Sequence, residues 1–141
     1  MKNIVLILVI ISSCVGVKAQ FTMPFEELVH EGTWLQWPHN FTYGFGASDY
    51  EPTWVEMTSA LIGGEKVHII AYDENHMSHI LDLLTNAGVP MDNVNIIIAE
   101  NDDFWIRDNG PIFVYDSESQ LTILDWGFNG WGGQAPFELC D

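Results

Sequence analysis

The fold is decided by three consecutive runs: Val67-His68-Ile69-Ile70-Ala71-Tyr72, the segment from Asp73 to Gly88-Val89-Pro90, and Val94-Asn95-Ile96-Ile97-Ile98-Ala99. The first and last are short, apolar and β-branched, as buried strands are. Between them Ile80, Leu81, Leu83 and Leu84 recur at a helical period. Asp73 or Asn75 is placed to cap the helix, and the Gly-Val-Pro run ends it. A strand, a helix and a strand in that order predict a parallel pair joined by a right-handed crossover, and so an α/β fold.

Outward from that unit, Gly32 to Trp37 reads as a short strand stopped by Pro38. Asn40 to Tyr50 reads as a loop, and Glu51 to Leu61, with Pro52 near its start and Gly63-Gly64 beyond it, as a helix. On the other side, Ile112 to Tyr115 and Leu121 to Asp125 flank the polar turn Asp116 to Gln120, which predicts a hairpin. The polar and aromatic segment Glu100 to Pro111 joins the two parts.

Of 141 residues, 48% are apolar and 17% charged, the balance of a chain that buries a core. Twenty acids face four bases, and two of those bases, Lys2 and Lys18, lie near the N-terminus. The rest of the chain sets all its acids against Lys66 and Arg107 alone. Such a field repels phosphate backbones, which excludes a general nucleic-acid binder and suits a small cationic substrate; it also suits a merely solvated surface.

Residues 1–19 read as an export signal: Met1-Lys2, an uncharged stretch from Asn3 to Val17 rich in Ile, Val and Leu, and a cleavage site after Ala19. In a competing reading, Ile11-Ser12-Ser13-Cys14 is a lipobox and Cys14 a lipid-modified first residue, the one route to a membrane. Either way an exported protein is expected, periplasmic, secreted or anchored. The stretch is short for a permanent span. The only cysteines are Cys14 and Cys140, so no intrachain disulfide framework and no cysteine zinc site is expected. His76 and His79 stand three apart with no third ligand and read as surface residues, and His68 reads as a hydrogen-bonded strand residue. No metal and no cofactor are expected.

Two segments could carry chemistry. In Asn101-Asp102-Asp103-Phe104-Trp105-Ile106-Arg107-Asp108-Asn109-Gly110-Pro111, an indole, a guanidinium and three carboxylates follow a strand expected to be parallel, where α/β folds bind ligands. A carboxylate can accept two hydrogen bonds from a planar guanidinium while an indole face stacks on it. Trp105 and Asp108 converge only if the chain turns, and Asn109-Gly110-Pro111 favours a turn. The same residues also fit an ion pair of Arg107 with a neighbouring acid and a packed Trp105. The second segment, Asp125-Trp126-Gly127-Phe128-Asn129-Gly130-Trp131-Gly132-Gly133, reads by itself as a turn with large packed aromatics. It lacks a phosphate-binding glycine pattern.

Three stretches together resemble the agmatine deiminase and Porphyromonas-type peptidylarginine deiminase family. They are Met23-Pro24-Phe25-Glu26 through His30-Glu31-Gly32-Thr33-Trp34 to Trp37-Pro38-His39, then Asn101-Asp102 through Trp105-Ile106-Arg107-Asp108-Asn109-Gly110-Pro111, then Asp125-Trp126-Gly127-Phe128-Asn129 to Trp131-Gly132-Gly133. The resemblance implies a five-bladed α/β propeller, the pentein or guanidine-modifying fold, with residues 20–141 supplying the first blade and part of the second. It implies that Asp108 grips the substrate guanidinium and Trp105 lines the pocket. The implied reaction is hydrolysis: a cysteine thiolate attacks the guanidinium carbon, ammonia leaves, and water releases a ureido product, which from agmatine is N-carbamoylputrescine. The family's nucleophilic cysteine motif and His-x-Asp pair do not occur in this sequence. The chain therefore reads as an N-terminal portion that binds without turning over. The peptidylarginine branch is expected to hold a peptide carboxylate with basic residues, whereas Asn129-Gly130-Trp131-Gly132 has none, which favours agmatine. From a different class, an exported sugar- or cation-binding module built on exposed tryptophans remains an alternative.

Overall fold

In the computed structural model, residues 20–41 and 46–133 are described. The export signal, Cys14 and Cys140 lie outside them. The described residues form two compact units, one from residues 20–27 and 112–124, the other from 28–41, 46–111 and 125–133.

The larger unit holds a three-stranded parallel sheet of β2 (Gly32–Gln36), β3 (Lys66–Ala71) and β4 (Val94–Ile98), in the order β2-β3-β4. Its register runs Trp34 to His68 to Asn95 and Gln36 to Ile70 to Ile97. Two helices make the crossovers, α1 (Glu51–Leu61) from β2 to β3 and α2 (Glu74–Asn86) from β3 to β4. The expected parallel pair is thus β3 and β4, extended by β2 on the other side of β3.

Side chains alternate across a strand, and β3 uses the alternation fully. Val67, Ile69 and Ala71 are completely buried and pack with Leu35, Trp37, Ile80, Leu84 and Val89. The opposite face is only partly covered. There Trp34 stacks on His68 with ring centres 4.6 Å apart, and Asn95 Nδ2 lies 3.2 Å from His68 Nδ1.

Asp73 caps α2 by accepting the His76 backbone N–H at 2.7 Å. The helix ends at Gly88, whose φ of +73° lets the chain reverse so that Val89 N–H bonds the Leu84 carbonyl at 3.0 Å. Within α2, Ile80 and Leu84 are buried, but Leu81, expected on the apolar face, is 38% exposed. His76, expected at the surface, is buried, its side chain folding back so that Nδ1 accepts the Tyr72 backbone N–H.

The smaller unit is an antiparallel sheet of order β1-β5-β6, formed by β1 (Phe21–Thr22), β5 (Ile112–Asp116) and β6 (Leu121–Leu124). The expected hairpin is present. Its turn is built by Asp116, whose Oδ1 accepts the N–H groups of Glu118 (2.8 Å) and Gln120 (2.9 Å). The two-residue β1, not foreseen in the sequence, pairs Phe21 with Asp116 and Thr22 with Tyr115. Among the described residues no helix is long and apolar enough to cross a membrane.

Candidate functional site

Because β2, β3 and β4 run parallel, their C-terminal ends meet at one edge of the sheet. The chain leaves that edge as Trp37-Pro38-His39, as Tyr72 leading to His76, and as the segment from Ala99 to Pro111.

The last segment is anchored along its length. Asn101 is buried, and its Nδ2 donates to the Ala99 carbonyl at 3.0 Å. Its Oδ1 lies 3.0 Å from His39 Nε2. Asp103, 2% exposed, accepts the Phe104 N–H at 2.7 Å. Phe104 packs edge-on against Trp54 of α1, ring centres 5.2 Å apart, and beside Tyr50. Trp105 opens a one-turn helix, α3 (Ile106–Asn109), and its carbonyl accepts the N–H of Asp108 at 2.9 Å and that of Asn109 at 3.2 Å. The chain does turn between Trp105 and Asp108, as convergence of the two requires. Trp105 is 51% exposed and tilts against Phe104.

Gly110 closes the turn through its N–H to the Ile106 carbonyl at 2.8 Å, an approach so close that a Cβ here would lie 2.4 Å from that oxygen.

The glycine-rich segment after β6 reaches back to this helix. Trp126 Nε1 donates to the Gly110 carbonyl at 3.1 Å, and Trp131 Nε1 to Asp108 Oδ1 at 3.3 Å. Gly130, Trp131, Gly132 and Gly133 all have positive φ, and Trp131 at +55° is the one bulky side chain among them. A tryptophan there is strained. The turn is held by Asn129, whose carbonyl accepts from Gly133 N–H at 2.8 Å and whose Oδ1 accepts from Gly132 N–H at 2.7 Å. Buried Phe128 meets Trp126 and Trp131 edge-on. Packing, the sequence-based reading of these tryptophans, is present but leaves out that both also donate to the segment that carries Asp108. Two indole donors among glycines just beyond a strand were the signal for it.

Buried Glu51 accepts from Trp37 Nε1 at 3.2 Å, and its Oε1 lies 2.8 Å from His79 Nε2, so His79 is a hydrogen-bonding partner of that acid. His76 accepts the Tyr72 N–H on Nδ1 at 3.0 Å, while its Nε2 makes no hydrogen bond of good geometry among the described residues. Burial, aided by neighbouring His39, holds its pKa below the ordinary histidine value; the Pro38 carbonyl and Glu51 act in the opposite sense. Among the described residues no group of three or more His, Cys, Asp or Glu is placed to hold a metal ion.

The chain is 34% identical over 116 residues to an agmatine deiminase of Pseudomonas aeruginosa (strain LESB58), a match covering 80% of this chain and 29% of that protein. It superposes on a cysteine-to-serine variant of C. jejuni agmatine deiminase with substrate bound. That match has a TM-score of 0.73 and 23% identity and covers 89% of this chain and 36% of the other. It also superposes on an agmatine deiminase of Enterococcus faecalis, with a TM-score of 0.61 and 24% identity over 81% of this chain and 30% of the other. At that identity the two structures establish a shared mixed α/β fold. The chain spans about a third of the length of these relatives. The family model for Porphyromonas-type peptidyl-arginine deiminase matches residues 22–141. With the three motifs and the parallel sheet in place, this chain belongs to the Porphyromonas-type peptidyl-arginine deiminase family.

Proposed function

We propose that these residues form the guanidinium-binding part of a deiminase that hydrolyses agmatine to N-carbamoylputrescine and ammonia. Asp108 pairs with the guanidinium and Trp105 lines its pocket. The observation that carries the reading is the placement of Asp108: it lies on a tight turn beyond the C-terminal edge of a parallel sheet, where α/β folds bind ligands. One carboxylate oxygen there is already oriented by the Trp131 indole N–H. A carboxylate held in place meets a planar cation with less ordering cost than a mobile one.

The strongly acidic composition suits a cationic ligand. Agmatine is favoured over a peptidylarginine because no Lys or Arg stands in Asn129-Gly130-Trp131-Gly132 to hold a peptide carboxylate. The attacking thiolate and its acid-base partners come from outside the described residues, and the 141 residues by themselves bind without releasing ammonia. In this reading the chain supplies the first blade and part of the second of a five-bladed α/β propeller, and residues 1–19 direct it out of the cytoplasm.

Titrating the 141-residue chain with agmatine, a peptide ending in arginine, and simple sugars, followed by indole fluorescence, tests the reading. Agmatine-dependent quenching abolished in Asp108→Ala supports it. A response to sugar without one to agmatine replaces it with a carbohydrate-binding module, and a response to the peptide alone assigns the peptidylarginine branch.

A further inference from the structure

His39 and Asn101 stand 62 residues apart in sequence, beyond the ends of β2 and β4, the two strands that flank β3. Their side chains therefore join the two outer exits across the end of the middle strand. His39 is 7% exposed and Asn101 8%, so the bond is sheltered from water. The histidine is enclosed by aromatic rings, Tyr72 at 5.1 Å, Phe41 at 5.3 Å and His76 at 6.0 Å between centres.

Its tautomer follows from its partners. The Phe41 backbone N–H donates to Nδ1 at 3.3 Å, so the proton of the neutral ring sits on Nε2 and is donated to Asn101 Oδ1 at 3.0 Å. Asn101 in turn donates through Nδ2 to the Ala99 carbonyl at 3.0 Å. The result is one directed chain from the Phe41 backbone through two buried side chains to the backbone of Ala99. Donor and acceptor are each used once, as buried polar groups require.

Asn101 is also where the loop that carries Trp105 and Asp108 begins. We propose that His39 is a positioning residue for the candidate guanidinium site, fixing the root of that loop through Asn101 so that α3 meets the two indole donors. It touches no substrate. Its part in binding rests on the reading of Asp108 given above; its part in placing the loop does not.

Both parts are tested in the 141-residue chain by proton–nitrogen spectra of the indole groups together with agmatine affinity. The Trp126 and Trp131 indole N–H groups bond the Gly110 carbonyl and Asp108 and so report the loop without ligand. That of Trp54, bonded to the Gln36 carbonyl at 2.8 Å, reports the folded core.

His39→Phe, which keeps a ring but neither hydrogen bond, and Asn101→Ala are each expected to shift the Trp126 and Trp131 signals while leaving that of Trp54 in place. Each is expected to weaken agmatine binding about tenfold, the loss that goes with one buried hydrogen bond. The double variant is expected to bind no more weakly than either single one, and His39→Gln, whose side-chain amide can still donate to Asn101 Oδ1, to bind close to the unaltered chain. If His39→Phe does not fold, the contrast between Asn101→Ala and His39→Gln decides. Folded variants with unmoved Trp126 and Trp131 signals and unchanged affinity overturn the proposal, as do additive effects in the double variant. If the signals move but the unaltered chain binds no agmatine, the loop strut stands and the guanidinium reading falls.

Discussion

Trp131 donates its indole N–H to Asp108 Oδ1 at 3.3 Å across 23 residues of sequence, and does so from a left-handed backbone conformation that a tryptophan rarely adopts. A strained residue whose side chain bonds the one carboxylate on α3 ties the glycine-rich segment to the Asp108 turn.

Trp131→Phe keeps the edge contact with Phe128 and removes the donor. Calorimetric titration is expected to show agmatine affinity reduced by about three- to tenfold, with a stability loss near 1 kcal/mol. Asp108→Asn, which still accepts from Trp131, is expected to abolish binding and leave thermal unfolding nearly unchanged. Unaltered binding in Asp108→Asn would remove Asp108 from the site.

Gly110→Ala is expected to destabilise the chain by about 1–3 kcal/mol, because the added carbon meets the Ile106 carbonyl within 2.4 Å. Gly127→Ala has nothing within 4 Å of the added carbon and is expected to stay within about 0.5 kcal/mol. Denaturant midpoints compare the two, and an equal effect would place the constraint elsewhere.

Ile80→Ala is expected to lose about 2–5 kcal/mol, and Leu81→Ala, one position along α2, less than about 1 kcal/mol. The first side chain is fully buried against β3 and the second is 38% exposed. Reversal of that order in urea unfolding would mean that α2 is rotated.

Stability is expected to fall as pH drops through about 6.5. His76 resists protonation in the folded chain because it is buried beside His39, whereas the unfolded chain takes the proton up, so unfolding gains protons as the medium acidifies. His76→Gln, which can still accept from the Tyr72 N–H, is expected to flatten this slope in melting temperatures measured between pH 5 and 8. Exposed His30 works in the opposite direction. Its bond to the Leu28 carbonyl and the nearby Glu65 raise its pKa, so its contribution is present below about 6.5 and lost as pH rises beyond its folded value. A His30→Gln variant separates the two.

The boundaries of α2, the strands β3 and β4 and the hairpin were legible in the sequence because their causes are local. Asp73 caps, Gly88 turns left-handed, the β-branched runs favour extended chain, and Asp116 folds its own turn. Leu81 and His76 were misplaced because helical period locates a face only approximately, and the angle at which a helix settles on its sheet depends on packing.

From the sequence alone came the α/β class, the order of the strands β2 to β6 with the helices α1 and α2 between the first three, and the motif containing Trp105 and Asp108, since period, punctuation and residue chemistry act over a few positions. The tertiary structure alone decided that Trp131 bonds Asp108 and that His39 bonds Asn101. Those partners are 23 and 62 residues apart, and a hydrogen bond forms only where the folded backbone brings donor and acceptor within about 3 Å in line.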